Sequence, residues 1–527
     1  MGHVARYVRS AGIPQDGMNL GSRAAANVTS SWLKLAVQLG VAVVVSPFML
    51  HKLGDSAFGV WILILSLTGY LGFFDFGVRA SIGRYVARFA ATGDLEQLRR
   101  FVNTALAACS VLGLLALVLT GLGSIYLSAL FKIPADFLGT ARVLFLLIGT
   151  DVALAFPLSV FGCILEGYQT FWLLNLTYAG ASLLRGLLIL LVLSMGSGLI
   201  VVALVVVGLN LVRQLVCVCL VFWNTPMRLS VGYLDRSMLG ELVKYSTVAF
   251  AIFIAESLRF QSDAIVIGAF LSSAAITYFA IGSKLVEYPA SFVISLAQIF
   301  TPMASHYDAR GDESALQRVF VAGNRACALV IFPLCAALII LGKQIIELWV
   351  GVRYLSSYSI LLVLIVPRSL LLAQSGSIRI LLGLGRQRML ALVSLLDGLA
   401  NLVLSIMLLR YWGIFGVAVG TAIPLACTSL LFLPRHLCRM LNVPLREFLR
   451  QAYLVPLALT IPMAIALLLL RQWLQSPGYA GLLLQVVVGG LVYGIGLLRW
   501  ASGSLPNRAE ARVGLARLWN QAWGREL

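Results

Sequence analysis

Ten ionisable side chains lie well inside the long apolar runs of this 527-residue sequence, away from the ends of the runs. They are the cations Arg185, Arg213, Arg259, Lys284 and Arg368 and the carboxylates Asp151, Glu256, Asp263, Glu287 and Asp397. A guanidinium group stays charged when partly desolvated and offers forked donors to phosphate oxygens. Carboxylates in apolar surroundings pair with cations or take part in ion and proton movement. The set therefore predicts either a polar cavity for an anionic ligand or internal ion pairs that let helices associate.

The spacing of some of these charges fits a helix. Glu256, Arg259 and Asp263 are separated by three and four residues, which places them on one helical stripe, and Lys284 and Glu287 repeat the three-residue step. We expect the cavity residues that bind phosphate to be Arg185, Arg259, Arg368 and Lys284. We assign ion coupling, or ion pairing as the alternative, to Asp151, Glu256, Asp263, Glu287 and Asp397.

The amino-acid composition indicates whether the segments that carry these charges lie in water or in lipid. The chain is 60% hydrophobic and 11% charged, with a mean hydropathy of +0.95. A soluble domain carries roughly 25% charged residues, so this chain is predicted to lie in a lipid bilayer. The net charge of +18 sits in short clusters between apolar runs, which is typical of juxtamembrane segments rather than of a nucleic-acid-binding surface.

Apolar runs long enough to cross a bilayer, about 20 residues each, recur fourteen times. We predict spans at residues 31–50, 57–76, 103–127, 140–165, 172–194, 199–222, 247–270, 276–305, 322–342, 359–382, 390–409, 414–433, 452–470 and 480–498. With both termini in the cytoplasm, 25 lysines and arginines lie inside and 6 outside. This bias fixes the predicted orientation, because cytoplasmic loops are enriched in these residues.

The loop after the second span contains a basic segment, FFDFGVRASIGRYVA, at residues 73–87. Ile82, Tyr85, Val86 and Phe89 recur at helical spacing beside Arg84 and Arg88, which predicts an amphipathic helix at the inner leaflet. A plain basic loop is the alternative.

The chain also carries an internal repeat. ATGDLEQLRRF from Ala91 is echoed 218 residues later by ARGDESALQRV from Ala309, and the same offset pairs Gln169 with Gln387. Six spans separate equivalent positions, so the halves have the same orientation, as in transporters whose two lobes alternate around a central cavity.

The repeat predicts an all-α integral membrane protein of about 14 transmembrane helices: two six-helix lobes in parallel pseudo-repeat, plus two C-terminal helices. Its predicted segments are a cytoplasmic N-terminal segment (1–30), an N-lobe (31–224), a cytoplasmic linker (225–246), a C-lobe (247–434), an extension with spans thirteen and fourteen (435–498) and a cytoplasmic tail (499–527).

Several function classes are disfavoured. No Walker motif occurs, and the outer loops hold only Asp55, Asp136 and Glu347 as carboxylates, too few for an outward-facing catalytic centre. We therefore predict no enzyme activity and no catalytic residue. The eight cysteines and four histidines show no metal-ligand pattern, so no metal, cofactor or structural disulfide is expected. No cleavable signal peptide is expected either.

The sequence resembles a known family at KLGDSAFGVW (52–61), at the basic segment 73–87, at the GD-containing loops and at LRFQSDAIVIGAFLSSAAITYFAIGSKL (258–285). These motifs are similar to those of the polysaccharide transporter, or O-antigen flippase, branch of the multidrug/oligosaccharidyl-lipid/polysaccharide exporter superfamily. The resemblance implies movement of an undecaprenyl-pyrophosphate-linked oligosaccharide from the cytoplasmic to the outer leaflet by alternating access.

On this interpretation Arg79 and Arg84 receive the pyrophosphate at the cytoplasmic side. The protein would be a multi-pass protein of the bacterial inner membrane, working with a polysaccharide polymerase or export machinery. Coupling to sodium or protons occurs in the superfamily and is not assigned here. A peptidoglycan-precursor flippase, a cation-coupled multidrug antiporter and an integral-membrane glycosyltransferase or ligase are the alternatives.

Overall fold

The computed structural model describes residues 20–75, 78–240, 250, 254–259, 261–474 and 478–503. Helices make up almost all of this part of the chain, and it contains no strand. Within a bilayer a helix satisfies every backbone hydrogen bond inside its own segment, which explains why the apolar runs fold this way. The chain divides into two compact units, Met1–Thr277 and Tyr278–Leu527.

The first unit is built from long helices joined by short connections. Its helices are α1 (Leu20–Leu53), α2 (Asp55–Leu71), α3 (Val78–Thr92), α4 (Leu95–Leu130), α5 (Ala135–Gly167), α6 (Phe171–Ser194), α7 (Leu199–Asn224) and α8 (Ser262–Phe270). Short 3₁₀ turns lie at Gly72–Asp75 and Val231–Tyr233. α9 (Ser273–Ala297) begins in this unit and continues into the second.

The second unit contains more interruptions. Its remaining helices are α10 (Phe300–Ala309), α11 (Glu313–Trp349), α12 (Ser357–Ala373), α13 (Ser375–Gly383), α14 (Gln387–Cys427), α15 (Leu433–Met440), α16 (Leu445–Leu449), α17 (Val455–Trp473) and α18 (Tyr479–Gly503). A 3₁₀ turn lies at Val352–Tyr354, and π-helical segments lie at Thr428–Phe432 and Arg450–Leu454.

The prediction of an all-α protein with many membrane spans is confirmed. In the part of the chain that the structure describes, nine helices are long and apolar enough to cross a membrane, or ten if α12 and α13, bent by 42°, form one span. The 41-residue α14 contains Gly413 with a positive φ of 58°, at the predicted boundary between spans eleven and twelve. The count of fourteen, the segment boundaries and the cytoplasmic position of both termini stay predictions.

The internal repeat is visible at the start of α4 and of α11. Asp94 and Asp312 each cap the following helix by accepting a hydrogen bond from the backbone N–H three residues later, at 3.0 and 2.8 Å. The preceding Gly93 and Gly311 both have positive φ, 74° and 66°. The two caps are 218 residues apart, as the sequence predicts.

The prediction that this offset continues without change is wrong at the turn after α5. Gln169, with φ of 59°, is matched in conformation by Gly385, with φ of 68°, and not by Gln387. The equivalent hydrogen bonds of the two turns also lie 216 residues apart in the sequence rather than 218. In the first turn Thr170 N donates to Leu165 O, and in the second Arg386 N donates to Leu381 O. The second copy is therefore two residues shorter between its cap and this turn.

The basic segment after the second span forms the predicted amphipathic helix, α3. Ile82 and Val86 are fully buried and Phe89 is almost so, while Arg84 and Arg88 are exposed. The alternative of a plain basic loop is therefore wrong.

Residues 225–238, inside the predicted linker, bind to the start of α4. The Arg99 side chain donates to Pro226 O at 2.8 Å, and the Asn103 amide donates to Arg228 O at 3.0 Å. Met227 and Met238 are buried in the same core as α4 and α5. This part of the segment is thus packed onto the first unit.

Candidate functional site

The first unit contains a cavity of about 200 Å³ bounded by α3, α5, α6 and α7. Helix α5 supplies one wall through Ala155, Ser159, Gly162 and Glu166, spaced three or four residues apart so that they share a face. A side chain at Gly162 would meet no atom within 4 Å, so this wall is open. The cavity exists because α5 places small residues where a larger side chain would fill the space.

Helices α6 and α7 supply a cationic and aromatic wall. The guanidinium carbon of Arg213 lies 4.2 Å from the ring centroid of Tyr178, and Lys34 Nζ on α1 lies 5.7 Å from the same centroid. Both distances are within the range of cation–π attraction. Tyr178 thus holds two cations of different helices at the cavity.

A carboxylate lies further along α5, beyond the cavity. Asp151 accepts a hydrogen bond from the Asn210 amide at 2.8 Å and interacts electrostatically with Arg213 and Arg185. At 1.5 Å per residue, Asp151 is about 22 Å along α5 from Glu166. The polar groups therefore extend from one end of this helix to its middle.

Three cations of this region have N–H groups that are open donors, meaning that they are available to donate a hydrogen bond to a ligand. Lys34, Arg185 and Arg213 are half-buried, and none of them makes a hydrogen bond, or an ion pair within 4 Å, to the residues that the structure describes. A half-buried cation without a carboxylate in contact attracts anions more strongly than one at an exposed surface, because the local dielectric is lower. The arrangement can bind an anion.

The end of α5 adds charges of both signs. Glu166 lines the cavity and interacts electrostatically with Lys34 and with Arg79, which also lines it. With Asp151 and the cations above, the region holds four cations and two carboxylates. Its net charge is positive, which favours anionic over cationic ligands.

The structure brings together only some of the residues predicted to form a site. Arg79, Asp151 and Arg185 lie in or next to this cavity region, together with Arg213. Arg84 is exposed on α3 and does not line the cavity.

The predicted stripe of Glu256, Arg259 and Asp263 is interrupted. Residues 254–259 are helical, residue 260 lies outside the described residues, and α8 begins at Ser262. Glu256 is exposed, whereas Arg259 and Asp263 are buried with 7% and 6% of their surface accessible. The three side chains therefore do not share one environment.

The predicted charges of the second unit have structural partners. Lys284 Nζ lies 3.5 Å from a carboxylate oxygen of Glu287 on the same helix, which supports the ion-pair interpretation for these two. Asp397 is buried and accepts a hydrogen bond from the Thr428 hydroxyl. Arg368 is half-buried on α12.

Four residues of the cavity region were not predicted: Lys34, Glu166, Tyr178 and Gln214. Lys34 lies within the first apolar run, so the rule that singled out the other charges could have found it. Glu166 stands in the repeat segment EGYQTF, at the end of an apolar run. Tyr178 and Gln214 carry no signal in spacing or charge, because their role depends on packing between helices.

Among the described residues, no group of three or more histidine, cysteine or acidic side chains is arranged to hold a metal ion. The polar groups at the cavity are guanidinium, ammonium, carboxylate, carboxamide, hydroxyl and thiol groups, beside an aromatic ring. Such groups can bind and orient a ligand.

The apolar helices and the relatives described next define a multi-pass protein of the bacterial cytoplasmic membrane. The family described as "Polysaccharide biosynthesis protein" matches residues 100–359. "Uncharacterized membrane protein EpsK" of Bacillus subtilis (strain 168) is 21% identical over 441 residues, covering 80% of this chain and 85% of that protein.

Solved structures share the fold. "Lipid II flippase MurJ, inward closed conformation" has a TM-score of 0.69 at 15% identity, covering 90% of this chain and 99% of that one. An inward-facing multidrug resistance MATE family transporter of the MOP superfamily has a TM-score of 0.68 at 12% identity, covering 78% and 99%. The predicted resemblance to a polysaccharide biosynthesis family is confirmed over residues 100–359, and the solved structures show that the chain shares its fold with transporters and flippases.

Proposed function

We propose that this protein moves an undecaprenyl-pyrophosphate-linked oligosaccharide, a repeat unit of O-antigen, capsule or exopolysaccharide, from the cytoplasmic to the outer leaflet. The lobes would alternate in access, the polyprenyl chain would stay in lipid, and the pyrophosphate would bind the cations of the first unit. A polymerase or export machinery is the proposed consumer of the product.

The observation that carries this proposal is the set of half-buried cations with open donors, Lys34, Arg185 and Arg213. A diphosphate presents several acceptor oxygens and two or more negative charges, which match guanidinium and ammonium donors. Lys284, by contrast, is paired with Glu287. The proposed phosphate site therefore centres on Arg213 and Arg185, and Arg79 is its cytoplasmic neighbour.

The main alternative is a cation-coupled multidrug antiporter, in line with the description of the MATE relative as a multidrug resistance transporter. The positive balance of the cavity region disfavours a cationic ligand. Asp151 and Glu166 would be the residues to bind one, because they are the carboxylates of the region.

The test is translocation of a fluorescent undecaprenyl-pyrophosphate oligosaccharide in proteoliposomes, with and without a sodium or proton gradient. We expect movement with the intact protein and little movement with the Arg213→Ala variant. Movement that depends on one gradient would identify the coupling ion. Transport of a cationic dye without movement of any such lipid would contradict the proposal and favour the antiporter.

A further inference from the structure

Four exposed arginines lie on two short helical segments of the second unit, outside the cavity. Arg435 and Arg439 belong to α15, and Arg446 and Arg450 lie in α16 and at the residue that follows it. The members of each pair are four residues apart, so they project from the same side of a helix. We call this part of the chain, residues 433–451, the basic elbow.

The basic elbow connects two segments that can cross a membrane. The apolar helical segments Gln387–Met440 and Leu445–Trp473 are each long enough to span a bilayer, which places their junction at a membrane surface. Leu431 and Leu449, beside the arginines in sequence, have 53% and 42% of their surface accessible. Exposed leucines at the end of a span face acyl chains, and arginines beside them extend to the headgroups.

The apolar side of the basic elbow is fixed to α11. Leu437 and Phe448 are fully buried, and the Phe448 ring stacks on that of Phe320 with 4.5 Å between the ring centroids. The side-chain amide of Gln317 donates a hydrogen bond to Leu441 O at 2.8 Å. Because these contacts use the apolar side chains, the arginines stay on the exposed side of a rigidly packed element.

None of the four arginines is paired with a carboxylate in the described part of the chain. The side chains of Arg439, Arg446 and Arg450 make neither a hydrogen bond nor an ion pair within 4 Å there. Arg435 donates to backbone carbonyls only, the nearer being Leu431 O at 3.1 Å. The guanidinium groups therefore keep donors for the oxygens of a phosphate.

The charge of the basic elbow is positive. Glu447 is the only carboxylate in residues 398–509, and it accepts a hydrogen bond from the Gln451 amide at 2.9 Å. Four arginines and this carboxylate give the elbow a formal charge of +3. At the junction of α10 and α11, by contrast, residues 306–318 contain three carboxylates and two arginines. The excess of positive charge is thus a property of the basic elbow and not of every junction in this unit.

We propose that the basic elbow binds the phosphate headgroups of anionic phospholipids in the leaflet at this end of the spans. A headgroup such as that of phosphatidylglycerol carries a negative phosphate, whose oxygens match the forked donors of arginine. The exposed leucines beside the arginines would contact its acyl chains, and an uncharged surface would lack the attraction of cations to anionic lipid. None of the residues of the elbow lines the cavity of the first unit, so this lipid is distinct from the one proposed to be moved.

The experiment measures the affinity of the full-length protein, in micelles of a neutral detergent, for phosphatidylglycerol and for phosphatidylcholine with the same fluorescent tail. The test variant is Arg439→Gln/Arg450→Gln. The matched control, Arg310→Gln/Arg318→Gln, removes the same charge from exposed positions at the junction of α10 and α11. We expect the intact protein and the control to prefer phosphatidylglycerol. The test variant should bind it roughly 30-fold more weakly, since each arginine contributes about fivefold, or about 1 kcal/mol.

Several results would overturn the proposal. Equal affinity of the intact protein for the two lipids, or an unchanged preference in the test variant, would show that the elbow binds no anionic headgroup. An equal loss in the control would assign the preference to net charge. Displacement by inorganic phosphate at constant ionic strength would assign the arginines to a soluble anion, and tighter binding of undecaprenyl diphosphate at the same arginines would assign them to the translocated lipid.

A second pair of variants separates binding from folding. Arg439→Lys/Arg450→Lys keeps both charges, so it should retain most of the preference for phosphatidylglycerol. If the glutamine variant is not recovered folded, the single variant Arg446→Gln, at an arginine that is also exposed, takes its place, with an expected loss of about fivefold. Loss of the preference in the lysine variant, with the melting temperature of the intact protein, would contradict binding through charge.

Discussion

Two buried amides, one in each unit, use their hydrogen-bonding groups in opposite ways. Asn324 of the second unit is fully buried; its amide donates to Phe320 O at 2.6 Å, and its oxygen accepts from the backbone and hydroxyl of Ser377 at 3.2 and 3.0 Å. Gln214 of the first unit is also buried, but its oxygen has no hydrogen-bond partner among the described residues. One amide joins helices, and the other leaves its oxygen unsatisfied by them.

The same contrast holds for the polar groups around them. In the second unit Asn401 accepts hydrogen bonds from Ser405 at 2.8 Å and Thr421 at 3.2 Å, in the same part of α14 as buried Asp397. In the first unit Arg213 and Lys34 contact a ring rather than a carboxylate. The oxygens of Asn324 and Asn401 are therefore satisfied within the fold, whereas Arg213 and Lys34 lie against an aromatic ring.

The strongest test of this difference removes one cation from each unit. Arg213→Ala should reduce lipid translocation roughly 10- to 100-fold, because a charge-assisted hydrogen bond is worth about 1.5–3 kcal/mol. Lys284→Ala, which removes a cation already paired with Glu287, should have a much smaller effect. Initial rates in proteoliposomes, normalised to reconstituted protein, measure both. An equal loss in the two variants would remove the distinction between the units.

Filling the cavity should have the next largest effect. A leucine at Gly162 meets no neighbouring atom at its Cβ but occupies the cavity, so Gly162→Leu should slow translocation on the order of tenfold by overpacking the ligand site. Stability should not fall, since leucine is a better helix former than glycine. The control is Gly208→Leu, at an exposed α7 position that also has free space. Normal transport by Gly162→Leu would show that the cavity is not on the substrate path.

The two amides should respond oppositely to leucine. Asn324→Leu leaves the groups of Ser377 without a partner and should lower the free energy of unfolding by about 1–3 kcal/mol. Gln214→Leu removes an unpaired polar atom and should not lower it. Denaturant unfolding of each variant in detergent micelles provides the comparison. A comparable loss in Gln214→Leu would mean that its amide supports the fold.

The smallest expected effect is on thermal stability and concerns the repeated helix caps, of which Asp312 forms the second. The Ala315 N–H and the Ser314 hydroxyl donate to Asp312 and lower the pKa of its carboxyl group. Its stabilising effect is therefore fully present above the unfolded pKa of about 3.9 and is lost as pH falls through the lower folded pKa. Asp312→Asn keeps a capping oxygen without this titration. The difference in melting temperature between the two proteins should change only below about pH 4; a difference that is constant with pH would contradict this explanation.

Much of the fold could be predicted from local sequence, but the candidate site could be predicted only in part. Spacing correctly indicated α3, and the 218-residue offset correctly paired the loops in which Asp94 and Asp312 cap the following helices, because both signals depend on neighbouring residues. The two-residue shift at Gly385 was not predicted, since a deletion inside an apolar run changes no residue pattern. Asp151 and Arg185 were selected as charges in apolar runs, and Arg79 as a cation of the basic segment. The rule for charges in apolar runs also selected Lys284, whose partner is on its own helix.

The sequence by itself determined that the chain is a bundle of membrane helices with a repeated plan, because hydropathy, lysine and arginine bias and cap residues are local properties. Only the tertiary structure decided which polar groups are satisfied. Tyr178 reaches Arg213 and Lys34 from a different helix, and Gln214 faces small residues of α5. Such contacts depend on how helices pack. The sequence alone does not show whether a charged or amide side chain pairs with a neighbouring helix or with a ligand.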